Sequence, residues 1–296
     1  MPDAKLPPRL RRSLLVTPGD RPERMAKAVT LPADGIVLDS EDGVGPEQKP
    51  AARRAIAEAL RSLDFGPRER IVRVNAVGTP EHEADLADLD IARLDTLFVP
   101  KVERAEQLHR LTAWLDVAER GQPRTRPVEL IATIETPRGL LDALAIAEAS
   151  PRTTALFFGS GDYTAATGSA VTERSLAVPR ALIVAAAAAV RIEAIDAAWF
   201  VTVKDVTATR ADARIARELG FAGKLVFHPD QIAVANEIFS PHADEVARAH
   251  RILAAYAAAR SEGRGTAFVD GEFIAIDIAL MAERTLARAR QSARPS

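Results

Sequence analysis

Eight short apolar runs, each followed by a segment with helical spacing, constrain what this chain can fold into more than any other feature. They fall at residues 13–17, 35–38, 71–74, 96–99, 130–134, 155–158, 198–203 and 224–227. Most are continuous rather than alternating, as expected of parallel strands covered on both faces. Between them, Ile56 and Leu60 share one helix face, and so do Leu108, Leu111 and Leu115, in a helix expected to close at Gly121 and Pro123. Eight such units is the count of a (β/α)8 TIM barrel, with a doubly wound open sheet as the competing architecture. The barrel is favoured by where the reactive residues fall. Asp39, Glu41, Asp42, Arg73, Lys101, Glu135, Asp162, Lys204, Asp205 and His228 all lie at or just past the ends of the runs. A barrel gathers those ends at one mouth, whereas an open sheet leaves several far apart.

The expected barrel domain covers residues 1–240. Residues 241–296 form a C-terminal helical extension or lid: a helix, a polar hinge at 261–265, an extended piece around Asp270-Gly271, and a last helix. Bulk properties narrow the function classes. A chain of 296 residues with 47% hydrophobic content can bury a sizeable core. A net charge of −2 without a basic block argues against nucleic acid as a partner. The absence of cysteine rules out disulfides, thiolate zinc sites and cysteine nucleophiles. No apolar stretch follows the charged N-terminus as in a signal peptide, and residues 181–190 are too few to span a bilayer. No membrane role and a soluble, cytoplasmic protein are therefore expected.

The chemistry concentrates at residues 129–168. One apolar run ends on Glu135; the next leads through Gly-Ser-Gly to Asp162. Two strand ends delivering carboxylates, without competing histidine or cysteine, suit a hard cation such as Mg2+, which takes few protein oxygens and keeps positions for substrate and water. The bland alternative is that each carboxylate caps the helix that follows it. Gly159 and Gly161 would let backbone approach a ligand. Arg73, inside the third run, is costly to bury unpaired, and its planar fork fits a substrate carboxylate. It would pair equally well with Asp39 or Glu41. The turn from Asp39 to Asp42 holds three carboxylates in four residues and could supply a general base, support the metal, or be a solvated turn. Lys101 and Lys204, each expected at a strand end, open the rival chemistry of a Schiff-base aldolase. His228 could donate a hydrogen bond or simply pack.

The motifs LVTPGDRPERMAKA, LDSEDGV with a later KPAAR, RVN, PKVE, IETPRG, GSGDYTAATG and GFAGKLVFHPDQI follow one another in this order. Together they resemble the citrate lyase β-subunit-like branch of the HpcH/HpaI aldolase superfamily, which includes malyl-CoA and citramalyl-CoA lyases. The resemblance extends over residues 12–280. It implies a Mg2+-dependent carbon–carbon lyase on a barrel, assembled as a homotrimer, acting on coenzyme A thioesters of hydroxy acids. It gives Glu135 and Asp162 as metal ligands, Arg73 as the residue holding a 2-oxo acid carboxylate, and the Asp39–Glu41–Asp42 turn as site lining. Arg21 and Lys27 match the stretch that contacts coenzyme A. Two departures stand out. Gly161 occupies the place of a glutamate that commonly precedes the metal-binding aspartate. Ala275 occupies the place of a C-terminal acid/base aspartate contributed by a neighbouring subunit, with Asp277 two residues on. The second departure leaves room for a catalytically weak paralogue that binds coenzyme A or a dicarboxylate.

Overall fold

In a computed structural model, residues 9–122 and 124–293 are described, so Pro123, the expected helix terminator, lies outside the described residues. The runs become parallel strands: β1 (Ser13–Pro18), β2 (Gly35–Asp39), β3 (Glu69–Arg73), β4 (Thr96–Val99), β5 (Glu129–Ile134), β6 (Thr153–Phe158), β7 (Glu193–Ala197) and β8 (Gly223–Val226). Each pairs with the next, and β8 returns to pair with β1, closing an eight-stranded barrel. Around them run α1 (Pro22–Ala28), α2 (Lys49–Ser62), α3 (Pro80–Asp88), α4 (Ala105–Ala118), α5 (Pro137–Leu141), α6 (Ala143–Glu148), α7 (Ser160–Thr167), α8 (Glu173–Ala189), α9 (Val206–Leu219) and α10 (Asp230–Ile238). The open sheet is thereby excluded.

Alternation along each strand decides what faces the barrel axis. Leu14, Val37, Ile71, Phe98, Ile131, Phe157, Ile195 and Leu225, one from each strand, form a single buried cluster. Two residues beyond Val37 and Ile71 on the same face come Asp39 and Arg73; four beyond Ile131 comes Glu135. The hydrophobic layer thus seals the barrel just below the charged residues at its C-terminal mouth.

One run is corrected. The seventh strand is Glu193–Ala197, and residues 198–203 lie beyond it as loop and turn. Its sequence, EAIDA, carries two acids and so does not read as apolar. Asp196 nevertheless lies buried on the outer face of the barrel wall, its Oδ2 2.8 Å from Arg180 and 2.5 Å from Lys224. Arg180 and Lys224 also bind Asp212 of α9, at 2.6 Å each. Two cations and two carboxylates close their own charge there. Lys204 and Asp205 consequently leave the strand end: Lys204 is exposed in a turn, and Asp205 caps α9 by accepting from the Ala208 N–H at 2.9 Å.

The chain divides into two compact units, the second beginning at Glu237. In that second unit α11 (Ala243–Ser261) packs on α12 (Ile276–Ser292), with a hairpin of β9 (Ala267–Val269) and β10 (Glu272–Ile274) between them in sequence. Ala249, Ile252, Ala259, Ile274, Ala282 and Leu286 make its core. The hairpin turns through Asp270 and Gly271, both at positive φ, the backbone of the tight turn expected there.

Candidate active site

Asp39 ends β2 next to Arg73, its partner in strand register at the end of β3. Both carboxylate oxygens take a guanidinium N–H at 2.6 Å, a bidentate pair. The same oxygens accept the backbone N–H groups of Glu41 and Gly43 at 2.9 and 3.0 Å. Asp39 is therefore consumed in orienting Arg73 and shaping the turn. Arg73 reaches Glu41 with its remaining terminal nitrogen, 3.1 Å from Oε2. Of the alternatives for Arg73, pairing with the barrel's own acids holds for both Asp39 and Glu41.

Glu41 is buried, and its other oxygen receives the Lys101 ammonium at 2.6 Å. Burial raises its pKa, with Arg73 and Lys101 opposing. Exposed Asp42 takes the same ammonium at 3.0 Å. Burial disfavours the charge on Lys101, but Glu41 and Asp42 outweigh that and raise its pKa, so the amine stays protonated. Among the described residues, Lys101 is also one of three non-glycine residues at positive φ, 52°. That conformation costs an L-residue about 1–2 kcal/mol. It turns the backbone N–H inward to Glu135, whose Oε1 accepts it at 2.7 Å.

Glu135, buried at the end of β5, does not cap a helix: Thr136 does, accepting from the Gly139 N–H at 3.0 Å. Its free edge faces Asp162 closely enough for a hydrogen bond. Burial, then the charge of Asp162, then that of Glu41 push the Glu135 carboxyl up to about 8. Asp162 sits in the first turn of α7, exposed to solvent. Gly159 serves differently from its expected role. A Cβ there would stand 2.6 Å from both Cβ and Oε2 of Glu135, so its bareness makes room for that side chain.

These residues fit a hard cation. Two adjoining carboxylates with unrelieved repulsion, one holding its proton far above the ordinary range, gain most from a divalent ion. Among the described residues no three acids or histidines are arranged to enclose a metal, so an ion on this pair keeps positions for other ligands, as Mg2+ does.

Sequence reading missed the brace beneath the acidic turn. Lys49 donates to the carbonyls of Ser40 and Glu41, at 3.1 Å each, and to Asn75 Oδ1. Asn75 in turn donates through its backbone and side chain to Asp85 Oδ2 at 2.7 Å each. Lys49 of KPAAR and Asn75 of RVN lay within motifs already noticed, but their joint contact is set by tertiary structure.

The remaining candidates are carried by other elements. Arg21 precedes α1, exposed, 3.8 Å from Asp20, and Lys27 is exposed in the last turn of the same helix. His228, half-buried after β8, accepts the Asp230 N–H at 3.3 Å as part of the entry to α10. Asp277 belongs to the second unit, exposed in the first turn of α12 behind Ala275, whose methyl leaves the helix start without a side-chain cap.

A closed (β/α)8 barrel with interlocked acids and cations at its C-terminal mouth is the architecture of an enzyme. The chain belongs to the HpcH/HpaI aldolase/citrate lyase family, whose model matches residues 12–229. It is 35% identical over 280 residues to the (3S)-malyl-CoA thioesterase of Cereibacter sphaeroides, covering 94% of each chain. It is 36% identical over 292 residues to the L-malyl-CoA/β-methylmalyl-CoA lyase of the same species, covering 91% of this chain and 92% of the relative. Among solved structures, protein CitE of Mycobacterium tuberculosis in complex with magnesium, acetoacetate and coenzyme A superposes with a TM-score of 0.76 at 35% identity, over 95% of this chain and 98% of that one. The family expected from the motifs is the family found.

Proposed function

We propose that this chain is a Mg2+-dependent carbon–carbon lyase. Its substrate is a coenzyme A thioester of a 3-hydroxy acid with a carboxylate on the hydroxylated carbon, within the range of citramalyl-, malyl- and citryl-CoA. The observation that carries this reading is Glu135, its carboxyl pushed up to about 8 by burial and by the charge of Asp162, sharing one mouth with Arg73. Relatives named for malyl-CoA chemistry and a neighbour holding magnesium with coenzyme A support it.

Glu135 and Asp162 hold the cation, which supplies Lewis-acid polarisation of the substrate oxygens. Arg73 has five N–H donors. Three are directed at Asp39 and Glu41, leaving two for the substrate carboxylate. Glu41, whose pKa burial raises, accepts the hydroxyl proton. The C2–C3 electron pair then passes to the thioester α-carbon, giving a 2-oxo acid and, once that carbon is protonated, an acyl-CoA. The resemblance assigns that last proton to a carboxylate of the C-terminal segment, and Asp277 is the one this chain offers. Arg21 and Lys27 are assigned to the coenzyme A phosphates. The same reading carries a cytoplasmic homotrimer, with the exposed Phe268 and Phe273 of the hairpin as apolar surface for a neighbouring copy; sedimentation checks the mass.

The test is a panel of hydroxyacyl-CoAs with and without Mg2+, reading released 2-oxo acid and free thiol separately. Mg2+-dependent 2-oxo acid release, lost in Glu135→Ala, is expected; activity indifferent to EDTA overturns it. The relative named a thioesterase favours a second reading, hydrolysis, which thiol without 2-oxo acid would establish. A Schiff base fits poorly: the Lys101 amine is protonated between two carboxylates and Lys204 lies off the strand ends. Borohydride trapping on either lysine would reverse that judgement. Coenzyme A binding without any cleavage would mark a weak paralogue.

A further inference from the structure

The strands bring both charged and aromatic residues to the barrel mouth. The inward faces of β2, β3 and β5 lead to Asp39, Arg73 and Glu135, while that of β8 leads from Leu225 to Phe227. Phe200, in the turn after β7, sets its ring edge-on to Phe227, centroids 6.5 Å apart at 81°. The Phe200 ring also faces Gly161. A Cβ on Gly161 would meet Phe200 Cζ at 3.6 Å and Cε2 at 3.9 Å, ordinary contact, and Gly161 is not at positive φ. Neither backbone nor a methyl group demands glycine there. A side chain longer than alanine's would have to share the space beside the ring. The bare position leaves the space beside the Phe200 ring, next to Asp162 in sequence, free of a side chain.

Charge leads to the same conclusion. The cations around the acidic turn are Arg73, Lys101 and Lys49, and each is already engaged, by Asp39 and Glu41, by Glu41 and Asp42, and by Ser40, Glu41 and Asn75. A first substrate carboxylate has the metal pair and the spare N–H groups of Arg73. A second one, pointing toward the aromatic side, would lie against rings, and losing its hydration there is costly.

We propose that Gly161, Phe200 and Phe227 form an apolar notch that receives the hydrocarbon substituent on the hydroxylated carbon. The site then prefers acids with methyl or ethyl at that carbon over hydrogen or a carboxymethyl group. This rests on the reading that Glu135, Asp162 and Arg73 hold the acid's carboxylate.

The test is calorimetry on the Mg2+-loaded protein with glyoxylate, pyruvate, 2-oxobutanoate and oxaloacetate. Pyruvate and 2-oxobutanoate are expected to bind about 10-fold or more tighter than the other two, the usual discrimination per methylene in an apolar pocket. Phe200→Ala should bring the four within about 3-fold, the loss falling on the alkyl-bearing acids. Phe227→Ala should weaken the preference in the same direction, and Gly161→Glu should remove it by filling the gap. Oxaloacetate binding as tightly as pyruvate, a ratio unchanged by Phe200→Ala, or binding of none of the four overturns the notch. The predicted ratio without cleavage of any hydroxyacyl-CoA keeps the notch and removes the lyase reading; cleavage with the ratio inverted does the opposite.

Discussion

Gly159→Ala isolates the placement of Glu135 from its chemistry. Gly159 has φ −82°, so alanine suits its backbone, and only space is at issue. The new methyl carbon would lie 2.6 Å from both Cβ and Oε2 of Glu135, and must part from them by about 0.8 Å to reach 3.4 Å, the near edge of ordinary contact. Glu135 has little freedom to yield, because its Oε1 is pinned by the Lys101 N–H at 2.7 Å and its backbone follows β5. Overpacking of this kind costs about 1–3 kcal/mol of stability. A shift of about 1 Å at a reacting group typically costs about 100-fold in rate. Loss of a supporting contact at a metal site costs about 10–100-fold in affinity. The assays are Mg2+ titration by calorimetry, thermal melting and, where turnover is found, kcat/KM. Gly161→Ala is the control: its Cβ meets Phe200 at 3.6 Å, and Mg2+ affinity within about 3-fold of the parent is expected. Parental Mg2+ affinity in Gly159→Ala would refute the argument that the bare backbone at 159 sets the position of Glu135.

Other consequences are as direct. Lys101→Gly should be more stable than Lys101→Ala by about 1 kcal/mol in denaturant titration, because glycine accepts the φ of 52° without strain; the reverse order would refute the strained-backbone reading. Arg73→Lys keeps the charge but loses the bidentate grip on Asp39, and should raise KM for the carboxylate substrate about 10-fold or more, the loss of one charge-assisted hydrogen bond; an unchanged KM would count against the assignment. Lys224→Met leaves Asp196 and Asp212 with Arg180 alone and should cost about 3–5 kcal/mol in melting experiments while Mg2+ affinity holds. Burial works to raise the pKa values of Glu129 and Asp95, but Arg11 and Arg126 around the first and Arg70 and Arg9 around the second lower them overall. Folded values depressed below 4.5 and 3.8 mean stability that is fully present above those values and lost as pH falls through the depressed ones, so melting temperature should drop below about pH 4.5. A melting temperature flat down to pH 3 would exclude that contribution, roughly the acid limit of a depressed carboxylate.

What was legible in the sequence was whatever one strand carries by itself. Asp39 and Glu135 stood out because each follows an apolar run and Arg73 because it lies inside one, and inward alternation then put all three at the mouth. What depended on partners was hidden. Asp39 reads as one acid among three until strand register sets it against Arg73. Lys49, Asn75 and Asp85 form a brace only after β2, β3 and α3 are assembled. The seventh strand was displaced because Asp196 breaks its apolar pattern, and the buried Arg180 and Lys224 that make Asp196 tolerable come from α8 and β8. A buried polar strand is invisible to a reading by hydrophobicity, since its compensation lies elsewhere in the chain.

The two ends of the barrel treat charge in opposite ways, and that contrast is the physical basis for placing function at one of them. Near the strand starts, Arg11 is fully buried, yet it gives two N–H bonds to Glu69 at 2.9 and 2.7 Å, one to Glu129 at 2.7 Å and one to Thr154 at 2.9 Å. Glu129 is further met by Arg126 and Arg9. Glu69 and Glu129 are both answered by arginines, so that part of the network ties β3 and β5 to the segment before β1. At the mouth Asp39, Glu41 and Asp42 meet Arg73 and Lys101, while among the described residues no ion pair reaches Glu135 or Asp162. The imbalance falls where Asp162 adjoins Glu135, whose carboxyl is pushed up to about 8, and a divalent cation there would favour its ionised form. Folding alone gains nothing from leaving buried carboxylates unanswered, given the desolvation they have already cost. The imbalance is therefore best understood as binding capacity held in reserve, with Asp39 and Lys101 spending their own bonds to keep it in place.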